Sequence, residues 1–181
     1  MAADGGFALF ATSIGSCAIA WEGPSLVGVQ LPEADDGAGR DRMHRRFPAL
    51  DESDPPPWVA LAIARIRELL EGVHDDLSDL PLSMAGVPAF NQRVYQVARA
   101  IAPGQTLTYG EVARRVGDPG AARAVGQALG HNPFAPVVPC HRVLAAHGGG
   151  GGFSAEGGVA TKLKMLEIEK AQLGAGPGLF D

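Results

Sequence analysis

Two helical patterns separated by a short turn limit the folds that this chain can adopt. Thr108 and Glu111 have the spacing of a capping box, which predicts a helix that starts at Thr108 and ends near Val116-Gly117. Asp118 and Pro119 predict the start of a second helix, with Asp118 as its N-cap. Two helices joined in this way are typical of a helix-turn-helix. The cap also favours a structural role for Glu111 over a catalytic one.

The second predicted helix has an outer face of small residues. Ala121, Ala124, Val125 and Ala128 share its apolar face. Its other face consists of Ala122, Arg123, Gly126, Gln127 and Gly130. Glycine costs about 1 kcal/mol per helical site, so this face suits either a partner that approaches the backbone closely or tight packing on another helix. If the partner is DNA, the scarcity of long polar side chains favours shape or minor-groove recognition over base reading in the major groove.

A cysteine beside a histidine stands at the exit of an apolar segment. The run 134–138 is followed by Pro139-Cys140-His141-Arg142-Val143. A nucleophilic cysteine reacts as the thiolate, and a base, a helix N-terminus or a nearby cation has to lower its pKa. His141 and Arg142 are placed to help, although adjacency in sequence does not by itself bring His141 to the sulfur. The stretch predicts either a reactive cysteine or a small buried thiol beside a histidine that caps a carbonyl.

Short apolar runs near the start of the chain predict strands. Glycine and turn residues separate the runs, which favours antiparallel pairing. The predicted strands lie at 7–11, 16–21 and 26–31. Cys17 falls in the second run, so we expect this thiol to pack in the core.

Four further helices are expected outside the helix-turn-helix. Their bounds follow the spacing of apolar residues and the prolines and glycines that end helices. They lie near Met43–Phe47, from Pro57 to Val73, from Phe90 to Ile101 and from Thr161 to Ala171. A short strand is expected after the polar loop that begins at Asp75. In the last helix, Glu169 would ordinarily be a solvent-facing charge.

The balance of charge changes near residue 85. Residues 1–85 hold 6 lysines and arginines against 14 acidic residues, whereas residues 86–170 hold 9 against 5. We therefore expect a structural domain over 1–85, a second domain over 86–172 and a tail over 173–181. The acidic first domain is not expected to face a polyanion, whereas the second domain can.

Other features of the composition exclude several classes of protein. No apolar run approaches the roughly 20 residues that span a bilayer, and no signal peptide is expected. Cys17 and Cys140 form no disulfide framework, which predicts a protein of the reducing cytoplasm. With two distant cysteines and scattered histidines, no metal site is expected. Five glycines at 148–152 lack phosphate-loop spacing and fit a flexible loop that lines a pocket.

The order of these features resembles one family, the O6-alkylguanine-DNA alkyltransferases, also called methylated-DNA–protein-cysteine methyltransferases. The resemblance runs from Val87 to Glu169 and combines five motifs. They are Pro-Cys-His-Arg-Val at 139–143, Asn132-Pro133, the run 121–126, Thr108-Tyr109, and a last helix with Lys162, Leu166 and Glu169. It implies an α/β (α+β) fold: a ribonuclease-H-like antiparallel sheet with a helix, followed by a mostly helical, winged-helix-like domain that contains the helix-turn-helix.

The resemblance also implies a set of catalytic roles. Cys140 would accept the alkyl group, His141 would act as a base on the thiol through a water, and Glu169 would orient His141. Tyr109 would donate a proton to the leaving guanine, and Asn132 would hydrogen-bond the motif and orient the thiol. The thioether on Cys140 is not hydrolysed, so each molecule would act once and would need no cofactor.

The implied partner is double-stranded DNA that carries O6-alkylguanine, with O4-alkylthymine as a further candidate. The target base has to be flipped out of the duplex. Arg123 would enter the stack in its place, and Ala122 and Gly126 would let the helix sit in the minor groove. Thr108 and Arg142 are expected at the same surface.

The predicted base pocket departs from the commonest form of the family. Its walls would be Pro139, Phe153 and Ser154. The loop Phe153–Gly158 is about two residues longer than in some members, and Glu156 adds a negative charge near the expected DNA surface. The range of alkyl groups that fit is therefore open. Without heptads or a long exposed apolar stripe, a monomer is expected.

Two other functions remain open from the residues. One is a helix-turn-helix binding module without catalysis, in which Cys140 is dispensable. The other is a cysteine hydrolase that uses Cys140 and His141 to turn over esters or amides. The small outer face of the second helix argues against the hydrolase, and the thiol motif argues against the pure binding module.

Overall fold

Three antiparallel strands form the first part of the structure, a computed structural model that describes residues 4–145 and 158–171. The strands are β1 (Gly5–Thr12), β2 (Gly15–Glu22) and β3 (Ser25–Gln30), and they pair in this order. Gly15 and Gly23 make the two turns with positive φ, which glycine adopts without steric cost. The predicted antiparallel strands are confirmed, and the Cys17 side chain is buried as expected.

Two helices cover the sheet, one on each face. They are α1 (Asp36–Arg46) and α2 (Pro57–Leu69). Alternate residues of a strand point to opposite faces, so Phe7 packs with Met43 of α1 while Phe10 packs in the core that contains α2.

The bounds of both helices differ from the prediction. α1 starts well before the expected Met43, because the Asp35 side chain accepts a hydrogen bond from Ala38 N at 2.7 Å and caps it. α2 ends before the expected Val73, and Gly72 then turns the chain with a φ of 103°.

The rest of the described chain is mostly helical. Its elements are α3 (Ala89–Arg99), β4 (Leu107–Thr108), α4 (Tyr109–Arg115), α5 (Ala122–Gly130), a 3₁₀ turn (Cys140–Arg142), β5 (Val143–Leu144) and α6 (Val159–Ile168). The parallel β4–β5 pair was not predicted, since two residues per strand leave no alternation to detect. The short strand expected after the loop at Asp75 is a single bridge between Leu26 and Leu82.

The helix-turn-helix is present, with one correction to its turn. Thr108 and Glu111 form the predicted capping box of α4. α5, however, starts at Ala122 and not at Pro119, so Asp118 is not its N-cap. Gly117 ends α4 with a φ of 90°, and a Pro119-Gly120 turn follows because this pair favours a turn over a helix start.

The buried core is continuous through both parts of the chain. One cluster joins Ile19 of β2 and Ile66 of α2 to Val94 of α3 and Val138. In addition, Val29 N of β3 donates to Pro133 O at 2.9 Å. The first part of the chain therefore contacts the segment that leads to Cys140. The domain boundary expected after residue 85 falls in the loop before α3 and stays a prediction.

Candidate active site

A buried carboxylate joins the two residues that follow Cys140. Glu169, just after α6, accepts hydrogen bonds from His141 Nε2 at 2.8 Å and from Arg142 Nε and Nη2 at 2.9 and 2.8 Å. All three side chains are at most 2% exposed. Arg142 Nη1 also donates to Ile101 O at 2.8 Å. The 3₁₀ turn is thereby fixed to α6 and to the end of α3.

The charges of this cluster follow from burial and pairing. Burial alone would raise the pKa of Glu169, but hydrogen bonds from His141 and Arg142 outweigh it and lower the pKa to about 2. Burial lowers the pKa of His141 below its ordinary value, against the opposing effect of Glu169. At neutral pH the site therefore contains a carboxylate, a guanidinium and a neutral imidazole.

The neutral imidazole has one defined tautomer. Its Nε2 faces a carboxylate oxygen, so Nε2 bears the hydrogen and Nδ1 has a lone pair. Nδ1 is buried and has no hydrogen-bond partner among residues 4–145 and 158–171. His141 can therefore accept a proton at Nδ1 while Glu169 stabilises the resulting cation.

Cys140 opens the 3₁₀ turn and is 5% exposed. Burial raises the pKa of its thiol, while a hydrogen bond from Asn132, the charge of Lys162 and the backbone N–H groups of Cys140 and His141 act in the opposite direction. Because burial prevails, the resting group is a thiol, and it needs a base at the moment of reaction.

Asn132 bridges the ends of the segment before the thiol. Its Nδ2 donates to Val138 O at 2.7 Å, and its Oδ1 accepts from Phe134 N at 2.9 Å. Cys140 N donates to the same Val138 carbonyl at 2.9 Å. One amide side chain thus sets the path of the chain into the 3₁₀ turn.

Two further polar side chains lie near the thiol. Burial raises the pKa of Tyr109, with a smaller contribution from Cys140, so its hydroxyl stays protonated at neutral pH. Lys162 is 1% exposed, donates to Val143 O at 2.7 Å and has its ammonium 5.8 Å from the Tyr109 ring centroid. Burial lowers the pKa of Lys162 to about 8, and the nearby Cys140 opposes this shift.

The outer face of α5 is open. Arg123 and Gln127 are exposed, while Val125 and Ala128 are buried, as the periodicity predicted. A Cβ added at Gly126 would meet no atom within 4 Å among the described residues. Within the described part of the chain, tight packing on another helix therefore does not explain this glycine.

Comparisons with known proteins agree with this arrangement. Residues 89–171 match the family model described as the 6-O-methylguanine DNA methyltransferase, DNA binding domain. The methylated-DNA–protein-cysteine methyltransferase of Mycolicibacterium paratuberculosis is 46% identical over 153 residues, which are 80% of this chain and 90% of that protein. The chain belongs to the 6-O-methylguanine DNA methyltransferase family.

Two further members of this family show how far the similarity extends. The methylated-DNA–protein-cysteine methyltransferase of Mycobacterium bovis is 48% identical over 103 residues, which are 57% of this chain and only 61% of that protein's length. The crystal structure of Mycobacterium tuberculosis OGT in complex with DNA superposes with a TM-score of 0.70 at 34% identity, covering 91% of this chain and 92% of that one. The mixed fold expected from the resemblance, an antiparallel sheet followed by a helical part, is thus the fold of the family.

Most of the residues that the family resemblance singled out lie where they can act together. Cys140, His141 and Glu169 lie around the 3₁₀ turn, with Asn132 on the segment before it and Tyr109 nearby. Glu169 is not the solvent-facing charge that its helical position alone suggested, because it is buried and accepts hydrogen bonds from His141 and Arg142. The roles inferred for these residues stay predictions.

The remaining predicted residues have three outcomes. Arg142 was expected at the DNA surface, which is wrong: it is 1% exposed, and Glu169 neutralises it inside the protein. Thr108 is half-buried and caps α4, and Pro139 is buried directly before the thiol. Phe153 and Ser154, expected in the base pocket, lie outside the described residues, as does the glycine tract.

Lys162 received no role from the sequence, although a signal for one was present. Lys162 and Leu166 of α6 and Glu169, directly after it, follow one another at helical spacing, and all three are buried. Two charged residues on a buried face need partners inside the protein.

Among residues 4–145 and 158–171, no cluster of three histidine, cysteine, aspartate or glutamate side chains could hold a metal ion. Over the same residues, no helix is long and apolar enough to cross a bilayer.

Proposed function

We propose that this protein repairs DNA by moving the alkyl group of an O6-alkylguanine in duplex DNA onto the sulfur of its own Cys140. The observation that supports this most directly is the buried Glu169–His141 hydrogen bond, 2.8 Å long, directly beside Cys140. With Nε2 bonded to Glu169, His141 Nδ1 can accept a proton, and the carboxylate can stabilise the resulting cation. Family membership supplies the substrate class.

The chemical step is a displacement at carbon. The Cys140 proton passes to His141 Nδ1, with a water as the relay between them, and Glu169 stabilises the imidazolium that forms. The sulfur forms a bond to the alkyl carbon, and the bond between that carbon and guanine O6 breaks. Its electron pair goes to the guanine, where the protonated Tyr109 hydroxyl donates to the developing charge. Asn132 holds the segment that aims the thiol.

DNA binding is proposed for the open face of α5, as a minor-groove contact. Gly126 and Ala122 allow the helix backbone to approach the DNA, and Arg123 fills the stack when the base is flipped out. The M. tuberculosis OGT structure in complex with DNA gives a family precedent for DNA as the partner.

The reaction is proposed to occur once per molecule. A thioether is not hydrolysed under physiological conditions, so no step restores the Cys140 thiol. A free thiol is also needed at the start, which suits a reducing compartment such as the cytoplasm. We further propose that the protein acts as a monomer, because its sequence has neither heptads nor a long exposed apolar stripe.

Stoichiometry tests this function. The protein is mixed with duplex DNA whose O6-methylguanine carries a labelled methyl group, and the label is located by peptide mapping. We expect one label per protein on the Cys140 peptide, no transfer with Cys140→Ala and full transfer with the control Cys17→Ala. Multiple turnover, or unchanged transfer with Cys140→Ala, would overturn the proposal and favour a hydrolase or a binding module.

A further inference from the structure

The Asn132–Phe134 segment is held by a side chain from the first part of the chain. Arg46, the last residue of α1, donates from Nη2 to Pro133 O at 3.0 Å and from Nη1 to Gln30 Oε1 at 3.2 Å. Gln30 is 3% exposed and is itself fixed by donating to Gly39 O at 2.9 Å. The guanidinium carbon also lies 4.9 Å from the ring centroid of Phe47.

The site around Arg46 is shaped to receive its guanidinium. A Cβ added at Gly28 of β3 would lie 2.5 Å from Phe47 Cζ and 2.8 Å from Arg46 Nη2. The absence of a side chain at Gly28 therefore lets the guanidinium lie across the strand. Within residues 4–145 and 158–171, no carboxylate lies within 4.0 Å of its nitrogens. Arg46 therefore donates its hydrogen bonds to neutral oxygens, one of which is the carbonyl oxygen of Pro133.

A short hydrogen-bonded path leads from Arg46 to the thiol segment. The Pro133–Phe134 peptide is planar, so fixing its oxygen also fixes its N–H. That oxygen accepts from Arg46 and from Val29 N, and the N–H donates to Asn132 Oδ1 at 2.9 Å. Through Nδ2, Asn132 then holds the Val138 carbonyl that accepts from Cys140 N. Consecutive hydrogen bonds of this kind polarise one another and act as a unit.

We infer that Arg46 is a positioning residue for alkyl transfer: it clamps the Pro133–Phe134 peptide and so sets the orientation of the Asn132 amide that aims Cys140. The first part of the chain, which lies outside the matched residues 89–171, then contributes to the reaction rate and not only to folding. This inference rests on the proposed function. The pKa of Arg46, lowered by burial to about 10, leaves the guanidinium charged at neutral pH.

Four variants test the inference. Arg46→Met removes the clamp, Arg46→Lys keeps a cation and a donor, and Gly28→Ala displaces the guanidinium without removing it. Arg45→Met is the matched control, since Arg45 is the neighbouring, exposed arginine of α1. Two quantities are measured: the transfer rate constant from O6-methylguanine duplex at saturating protein, and the Kd for that duplex by fluorescence anisotropy with Cys140→Ala in each background.

A residue that only positions the thiol affects the transfer rate constant and leaves the Kd for DNA nearly unchanged. We expect Arg46→Met to lower the rate constant roughly five- to tenfold, the effect of about one hydrogen bond, with less than a twofold change in Kd. Arg46→Lys should recover most of the rate constant, and Gly28→Ala should lower it, as Arg46→Met does. Arg45→Met should have the rate constant of the parent protein. An Arg46→Met protein with the parent rate would overturn the inference. So would loss of rate and binding together without rescue by lysine.

Alkylation by iodoacetamide separates failure of this inference from failure of the proposed function. It reports on the Cys140 thiol without DNA, and Cys17, whose pKa burial raises to about 12, serves as an inert internal reference. If the parent protein transfers no methyl group, the proposed function fails, yet slower Cys140 alkylation in Arg46→Met would still support the clamp. Equal alkylation in the two proteins would overturn it. Should Arg46→Met not fold, Gly28→Ala is compared with Arg46→Lys. Slower reaction of Gly28→Ala alone would support the clamp, and equal rates in the two variants would overturn it.

Discussion

Glu169 and His141 are joined by a buried hydrogen bond of 2.8 Å although 28 residues separate them in sequence. The bond fixes the tautomer of the imidazole next to Cys140. Arg142 shares the same carboxylate, so Glu169 holds both the proposed base His141 and a buried cation.

Glu169→Gln should impair both function and stability. The amide cannot stabilise an imidazolium, so we expect the transfer rate to fall at least about tenfold. It also leaves the Arg142 charge buried without an anion, which should lower the free energy of unfolding by roughly 3 kcal/mol. Single-turnover transfer and urea denaturation measure the two effects. Glu167→Gln, an exposed position on the same helix, is the control and should change neither.

Acid should destabilise the protein in two steps. The ordinary pKa of histidine is 6.5, and below this pH the unfolded chain binds a proton at His141 that the folded protein, with its lowered pKa, does not bind. The ordinary pKa of glutamate is 4.5, and below this pH the same holds for Glu169, whose pKa in the folded protein is about 2. The unfolded state binds more protons in both windows, so stability falls as the pH falls. Urea denaturation from pH 7.5 to pH 4 should show the first step in the parent and a smaller one in His141→Gln. An equal step in both proteins would contradict the assignment.

The sequence predicted the parts of this site that depend on local spacing. The capping box of Thr108 and Glu111 and the two faces of α5 could be read from periodicity. The start of α5 could not be predicted in this way. Asp118-Pro119 fits a helix start and a turn equally well, and only the Gly120 that follows favours the turn. The roles of Arg142 and Arg46 depend on partners 27 and 87 residues away, at Glu169 and Pro133, and no local pattern signals such contacts.

Gly126→Ala should affect stability and DNA binding in opposite directions. The added methyl group meets open space and improves helix propensity, so the free energy of unfolding should rise by up to about 1 kcal/mol. If α5 approaches DNA closely, the same methyl group should weaken duplex binding. Denaturation and fluorescence anisotropy test the pair of effects. Gly39→Ala in α1, where the new Cβ makes ordinary contacts of 3.8 Å or more, is the control for binding and should leave Kd unchanged.

Arg123→Ala should separate base flipping from chemistry. Unstacking a base costs a few kcal/mol, so loss of the side chain proposed to replace it should slow transfer from duplex about 10- to 100-fold. Transfer from a single-stranded oligonucleotide with the same O6-methylguanine should change much less. Equal losses on the two substrates would assign Arg123 to general DNA attraction, and no loss on either would remove it from the proposed site.

Lys162→Met should make the thiol harder to ionise. The Lys162 charge lowers the pKa of Cys140 against the larger effect of burial, and its Nζ also holds Val143 O directly after the 3₁₀ turn. Methionine keeps the buried aliphatic volume but removes the cation, so the thiolate loses its stabilising charge and the pKa of Cys140 should rise further. The rate of Cys140 alkylation by iodoacetamide, followed from pH 6 to pH 10, should then shift to higher pH. Lys164→Met removes a charge from an exposed position of the same helix and should leave the profile in place. If both variants gave the parent profile, the buried lysine would be a structural anchor for Val143 and not a contributor to thiol ionisation.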